Sequence, residues 1–472
     1  MKFRLFPLLM AMAIIVSGCE TDDDHHVPQD VQINDFVWKG MNLYYLWQPE
    51  VSLLGDERFT NQSELNHFLR DYTNPVVLFE DLRTSSDIDR FSWIVDDYRL
   101  LEGTLSGTTK NNGVDYGLRY KPGSTTQIFG WVRYILPNSD AASKNIERGH
   151  IFYAVNGQSL TIDNYSQLLA ADTYTLNLAT YDNGNITPNG ESVTLTKSVY
   201  SENPVFISNV IEQGQHRVGY IMYNGFYPNY ETQLNNAFGE LRAQNITHLV
   251  LDLRYNSGGS IATATKLASL ITGQFTGQVF AQEQWNPKVQ EYFEDVNPGT
   301  LRNYFGSQLS SGVTLNHLNL DKIYILTTES TASASELVIN GLKPYINVIQ
   351  IGTTTVGKNV GSITLYDSPS FSRDGRSDKH FYAMQPIVLK TINAAGFGDY
   401  FNGLPPDVTV PEHIGNLGTL GSPSETLLSA ALDQISNNSR AISPRVEPTR
   451  YFTHSKSDDI RDGMYSEKHL ME

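Results

Sequence analysis

Lys322-Ile323-Tyr324-Ile325-Leu326-Thr327 leads into Thr328-Glu329-Ser330-Thr331-Ala332-Ser333-Ala334-Ser335-Glu336. A helical stretch then runs to Lys343 and stops at Pro344. The apolar run Val348-Ile349-Gln350-Ile351 follows, and then Gly352-Thr353-Thr354-Thr355-Val356-Gly357-Lys358. Four of the first six residues are β-branched or aromatic, and the run reads as a buried strand. Ser333 or Ser335 opens the helix behind it, where a hydroxyl satisfies free N–H groups. Pro344 cannot continue a helix, so the chain returns as a second strand. A strand–helix–strand crossover makes the two strands parallel. The segments after them, ending at Ser333 and Lys358, then share the carboxyl edge where open α/β sheets place their sites. His248-Leu249-Val250-Leu251-Asp252-Leu253-Arg254 reads as a third such strand, followed by Tyr255-Asn256-Ser257-Gly258-Gly259. Glycines there bring backbone N–H groups close to a reacting carbonyl. One edge thus collects a hydroxyl, an amine and free amides.

The chain has 472 residues and a formal charge of −17. That length holds about two to four domains. The acidic balance argues against nucleic acid as a partner. Twenty-six Tyr and 36 Gly point to sheet and turns. Lys2 and Arg4 precede the apolar run Leu5–Val16, which suits a signal peptide and is too short to span a bilayer. Its end, Val16-Ser17-Gly18-Cys19, resembles a bacterial lipobox. That resemblance implies cleavage before Cys19, lipid on Cys19, and a membrane-tethered protein of the cell envelope, periplasm-facing or surface-exposed. Cys19 is the single cysteine. An intramolecular disulfide, a cysteine nucleophile elsewhere and a Cys-based zinc site are therefore excluded.

Residues 1–18 form the signal peptide and 19–30 an acidic tether. Residues 31–102 carry helical patterns, with a capping-box spacing at Asn61-Gln62-Ser63-Glu64. Residues 103–203 turn to short strands. There Pro137-Asn138-Ser139-Asp140-Ala141 and Gly149-His150-Ile151 to Asn156-Gly157 resemble a PDZ domain of the bacterial protease type. That resemblance implies peptide binding by strand addition beside Gly117-Leu118. Residues 204–433 alternate strand and helix, as an α/β domain does. Residues 434–472 have little apolar periodicity and read as a loosely packed tail. The fold class is multidomain α/β: a small N-terminal helical domain, a PDZ-like β-rich domain and an α/β domain with a partly parallel sheet.

Asp252-Leu253-Arg254-Tyr255-Asn256-Ser257-Gly258-Gly259, Thr331-Ala332-Ser333-Ala334-Ser335-Glu336 and Gly357-Lys358 together resemble the carboxyl-terminal processing peptidases, or tail-specific proteases. Tyr400 to Val408, with Gly403-Leu404-Pro405-Pro406-Asp407, resembles their closing segment. The resemblance implies a serine endopeptidase with a Ser–Lys dyad, acting on protein or peptide substrates without metal or organic cofactor. In that pattern the middle serine is the nucleophile and the lysine follows 25 residues later, which selects Ser333 and Lys358. Ala334 N–H with Gly258 or Gly259 would form the oxyanion hole. Ser335 and Lys343 are the rival nucleophile and base, and His216, His248, His317 and His380 are rival bases outside any motif. The family often has Gln four residues after the lysine; this chain has Ser362. Readings from other classes are a catalytically inactive peptide-binding lipoprotein on the same fold and a surface glycan-binding lipoprotein.

Overall fold

The computed structural model describes residues 26–436, 447–456 and 463–468. The targeting segment and Cys19 lie outside the described residues. The core sheet has six strands in the order Val205–Gln213, His216–Tyr223, His248–Asp252, Lys322–Thr327, Asn347–Gly352 and Val408–Thr409. The first pair is antiparallel and all later neighbours are parallel. Alternation along each strand feeds two cores, as the two-residue period of a strand requires. Leu249, Leu251, Ile323 and Ile325 join the cluster with helices Glu231–Ala243, Ile261–Thr272 and Ala334–Leu342. Val250, Tyr324 and Leu326 face helix Thr426–Ile435.

The N-terminal region forms helices Gln32–Tyr44, Gln62–Leu69 and Pro75–Asp81. Asn61 caps the second by accepting from Glu64 N–H at 2.9 Å. The Glu64 carboxylate accepts from Thr60 N–H instead of Asn61 N–H, so the reciprocal bond is shifted by one residue. This region shares its core with the α/β domain: Phe36, Val37, Met41 and Tyr44 belong to one cluster with Met384, Val388 and Leu389. The β-rich layer is antiparallel, with Val114–Tyr120, Ile128–Ile135, Ile151–Val155, Thr173–Asp182 and Asn185–Thr196 in that order. Helix Tyr165–Ala170 and the sheet enclose a separate cluster that includes Leu118, Phe152 and Leu176.

The expectation of a loosely packed tail is corrected by its described residues. Tyr451–His454 adds to the β-rich layer beside Val114–Tyr120. Met464–Tyr465 lies between Gly259–Ser260 and Val360–Ser362 in a second six-stranded sheet. Strands this short leave almost no periodic signal in a sequence.

A buried charge cluster fixes the β-rich layer on the core. Arg254 is fully buried at the end of the His248–Asp252 strand. It donates to both Asp252 oxygens at 2.9 Å, bidentately to Glu425 at 2.8 and 2.9 Å, and to Glu412 at 3.1 Å. Tyr255 hydroxyl donates to Glu412 at 2.7 Å, and Arg148 of the β-rich layer reaches the same carboxylate at 2.9 Å. Burial alone would raise the Glu412 pKa, but Arg148 and Arg254 outweigh it and hold the group at about 2. Glu412 therefore contributes stability above its unfolded value of 4.5, and that contribution is lost as pH falls from there towards about 2. Glu412→Gln should cost about 3 kcal/mol, because two guanidinium groups lose their shared anion. Urea unfolding at pH 7 and pH 3 checks this: the gap between wild type and variant should shrink at pH 3.

Candidate active site

Ser333 ends the turn after strand Lys322–Thr327 and sits at the N-cap of helix Ala334–Leu342. Its backbone is at φ 68° and ψ −117°, a region L-residues avoid. Such a conformation costs about 1–3 kcal/mol and persists only where neighbours over-determine it. The neighbours are visible. Ala332 N–H donates to Asn256 carbonyl at 3.1 Å, Thr331 Oγ1 donates to Leu253 carbonyl at 2.9 Å, and Thr328 hydroxyl donates to Arg254 carbonyl. Ser333 is fully buried, and its Oγ has no hydrogen-bond partner among the described residues. Gly258 lies directly against it at φ 114°. A Cβ at Gly258 would come within 2.6 Å of Ser333 Cβ and 3.1 Å of Ala334 N, so only glycine fits.

Lys358 follows strand Asn347–Gly352 and is 2% exposed. Its Nζ lies 4.6 Å from the centre of the Phe91 ring. Gly357, at φ 91°, is crossed by the closing segment: a Cβ there would be 2.1 Å from Phe401 carbonyl oxygen. Arg90 donates to the carbonyls of Gly357 and Phe401 at 3.0 and 3.2 Å. The loop bearing Lys358 is thus gripped by the N-terminal region on one side and by residues 400–404 on the other.

Glu336 joins the two halves. Its Oε2 accepts Ser333 N–H at 2.7 Å and Lys358 N–H at 2.8 Å. Its Oε1 accepts Gly357 N–H at 2.7 Å and the Thr355 hydroxyl. The backbones of the expected nucleophile and base are therefore two hydrogen bonds apart through one oxygen. Burial raises the Glu336 pKa, and these bonds only partly offset it. The sequence carried a signal for half of this: Glu336 stands three residues after Ser333, the spacing of a capping box. Nothing in the local sequence around Phe91 or Arg90 marks them as neighbours of Lys358.

The rivals are placed elsewhere. Ser335 Oγ donates to Asn256 carbonyl at 3.1 Å and is committed there. Lys343 is exposed at the far end of helix Ala334–Leu342. His216 and His248 meet edge to face at the starts of their strands, the opposite edge of the core sheet. His380 is bonded to Asp367, and His317 lies against Gly273. Ser362 donates to Gln385 Oε1, so a glutamine reaches this region from a different strand. Gly258 N–H is donated to Asn256 Oδ1 at 2.9 Å, a bond that an oxyanion would have to share or displace. Gly259 is in register with Met464. Gly117 and Leu118 lie in the β-rich layer, in register with His454 and Thr453 of the tail.

Comparison with known proteins bears on the family and the fold. The description "Peptidase family S41" matches residues 217–368, and "Peptidase S41 N-terminal domain" matches residues 32–93. A carboxyl-terminal-processing protease of Picosynechococcus is 26% identical over 247 residues, 52% of this chain and 52% of that protein. The chain spans about half the length of that curated relative. A crystal structure assigned to an S41 protease of Bacteroides fragilis superposes with TM-score 0.66 at 25% identity, covering 85% of this chain and 97% of that one. A photosystem II D1 C-terminal processing protease superposes with TM-score 0.50 at 18% identity over 83% of this chain and 95% of that one, a likeness of fold. The chain thus carries, in order, the N-terminal and peptidase domains of peptidase family S41, and it is related to the carboxyl-terminal-processing proteases.

Proposed function

We propose that the protein is a serine-type endopeptidase in which Ser333 is the nucleophile and Lys358 the general base. The observation that carries this reading is the Glu336 carboxylate. It ties the backbone of a strained, buried serine with an unpartnered Oγ to the backbone of a buried lysine. Serine needs a base to attack a carbonyl, and lysine can act only as the neutral amine. A free lysine has a pKa of about 10.4.

Ser333 Oγ attacks the scissile carbonyl while its proton passes to Lys358 Nζ. The oxyanion is met by Ala334 N–H at the helix start, together with Gly258 or Gly259. Collapse breaks the C–N bond, and Lys358 returns the proton to the leaving amine. Water attacks the Ser333 ester as its proton passes to Lys358, and Lys358 returns that proton to Ser333 Oγ as the ester C–O bond breaks and the acid leaves. Substrates are proteins or peptides, and the PDZ-like segment 103–203 is suited to hold an extended segment near a C-terminus. Lipid on Cys19 would tether the enzyme in the cell envelope.

A fluorophosphonate probe should label Ser333 and not Ser333→Ala. Label elsewhere, or none, supports the inactive scaffold instead. Ser333→Ala and Lys358→Ala should each lower kcat/KM for a peptide substrate at least about 10³-fold. Lys358→Arg should fail equally, since a guanidinium stays protonated. With a lysine base, kcat/KM rises with pH as the amine deprotonates. A limb near pH 6.5 that survives in Lys358→Ala would point to histidine.

Glu336→Gln keeps the size but turns an NH₂ towards amide donors. It should lower kcat about tenfold to a hundredfold with little change in KM, measured alongside the melting temperature to show that the variant is folded.

Mass spectrometry of the mature N-terminus should find diacylglycerol on Cys19. An unmodified Cys19, or cleavage at another position, removes the anchor from this reading.

A further inference from the structure

The described parts of the C-terminal segment pair with strands in two sheets. Tyr451–His454 runs antiparallel to Val114–Tyr120, pairing Tyr451 with Arg119, Thr453 with Leu118 and His454 with Gly117. Tyr120 N–H donates to Arg450 carbonyl, and Ser455 N–H to Tyr116 carbonyl, both at 2.9 Å. Without this strand, Val114–Tyr120 would be the free edge of its sheet. The Phe452 ring lies 5.2 Å from Tyr120 and 5.3 Å from Tyr165, closing the groove between that edge and helix Tyr165–Ala170. Main-chain pairing along an edge with a side chain in the adjacent groove is the pattern of peptide recognition by strand addition. At the end of this strand Lys456 is buried, donating to Glu202 at 3.0 Å and to Asn224 carbonyl at 3.2 Å. Tyr451 hydroxyl shares a 3.2 Å hydrogen bond with Ser330, three residues before Ser333.

The second contact is beside the active site. Met464–Tyr465 is parallel to Gly259–Ser260 on one side and to Val360–Ser362 on the other. The first of these strands leaves the loop that abuts Ser333, and the second begins two residues after Lys358. Ser466 N–H donates to Ser362 carbonyl at 2.9 Å, and Ser260 hydroxyl to Glu467 at 2.6 Å. A polypeptide laid between the nucleophile side and the base side by main-chain pairing would lie where the tail lies.

We propose that residues 447–456 and 463–468 are intramolecular occupants of the two edges on which a substrate peptide is laid, and that peptide ligands bind by displacing them. The active-site half of this proposal rests on the serine peptidase reading; the β-rich edge does not. The bound tail has the character of its competitor: an extended segment that presents a large aromatic side chain at the groove and a lysine beyond it. Peptides of that kind are the ligands this edge fits.

The test uses the full chain carrying Ser333→Ala and a fluorescein-labelled synthetic peptide with the sequence of residues 447–456, followed by anisotropy. Phe452→Ser removes the groove anchor from the tethered copy, and Thr453→Pro removes its ability to pair. Each should raise affinity for the peptide at least about tenfold, because a tethered competitor acts at an effective concentration of order mM. A peptide carrying Phe452→Ser should lose binding. In the unmodified chain, excess isotope-labelled peptide should speed hydrogen exchange at Tyr451–His454 and leave Val114–Tyr120 protected. That arm decides the matter if either variant is poorly folded. Equal affinity in all proteins, or unchanged exchange on adding peptide, overturns the proposal and makes the tail a fixed part of the fold. In the active chain, Phe452→Ser should lower KM for a peptide substrate about threefold or more. A chain without activity whose peptide affinity still shifts would remove the peptidase reading and leave tail displacement standing.

Discussion

The Glu336 carboxylate is the constraint on which the site depends. It accepts four donors, three of them backbone N–H groups, from two loops that follow two different strands. A side chain that held only Ser333 would leave the Lys358 loop to find its own position, and a misplacement of about 1 Å is enough to cost a large part of a rate. One acceptor shared by both loops ties the spacing of two strands to the spacing of the Ser333 and Lys358 backbones. The helix it opens also favours an anion at that end. The cost is burial, seen in the upward pull on its own protonation.

Around this anchor the molecule is arranged in attachments to the core sheet. Arg254, with Asp252, Glu412 and Glu425, links the end of one core strand to the last helix and, through Arg148, to the β-rich layer. Arg133 of that layer is fully buried and donates to Ser330 at 2.5 Å. The N-terminal region contributes Phe91 beneath the lysine and Arg90 on its loop. Movement in either attachment is therefore felt at the turn that carries Ser333 or at the loop that carries Lys358.

Much of this was legible in the residues themselves. Alternating β-branched runs gave the parallel strands, Pro344 marked the return, and the order of three motifs brought Ser333, Lys358 and Gly258 to one edge. The family spacing already selects Ser333 over Ser335; the fold adds that Ser335 Oγ donates to Asn256 carbonyl, a bond no periodicity encodes. Phe91 and Arg90 arrive from a region more than two hundred positions away, and local patterns carry no information about such distance. The tail was read as loose because Tyr451–His454 and Met464–Tyr465 are strands of four and two residues. Their stability comes from edges supplied by the rest of the chain. The role of Arg254 was hidden for a related reason: a buried arginine looks like any exposed one until its three carboxylates are in place.

The position of Met464–Tyr465 also sets an order on biosynthesis. A chain made from its N-terminus has produced Ser333, Lys358 and the whole core sheet before Met464 exists. Gly259–Ser260 and Val360–Ser362 then wait as unpaired edges, the kind of surface on which other chains nucleate. Their closure is a late, non-local event in folding. A nascent or arrested chain is thus exposed to aggregation at the very strands that flank Ser333 and Lys358.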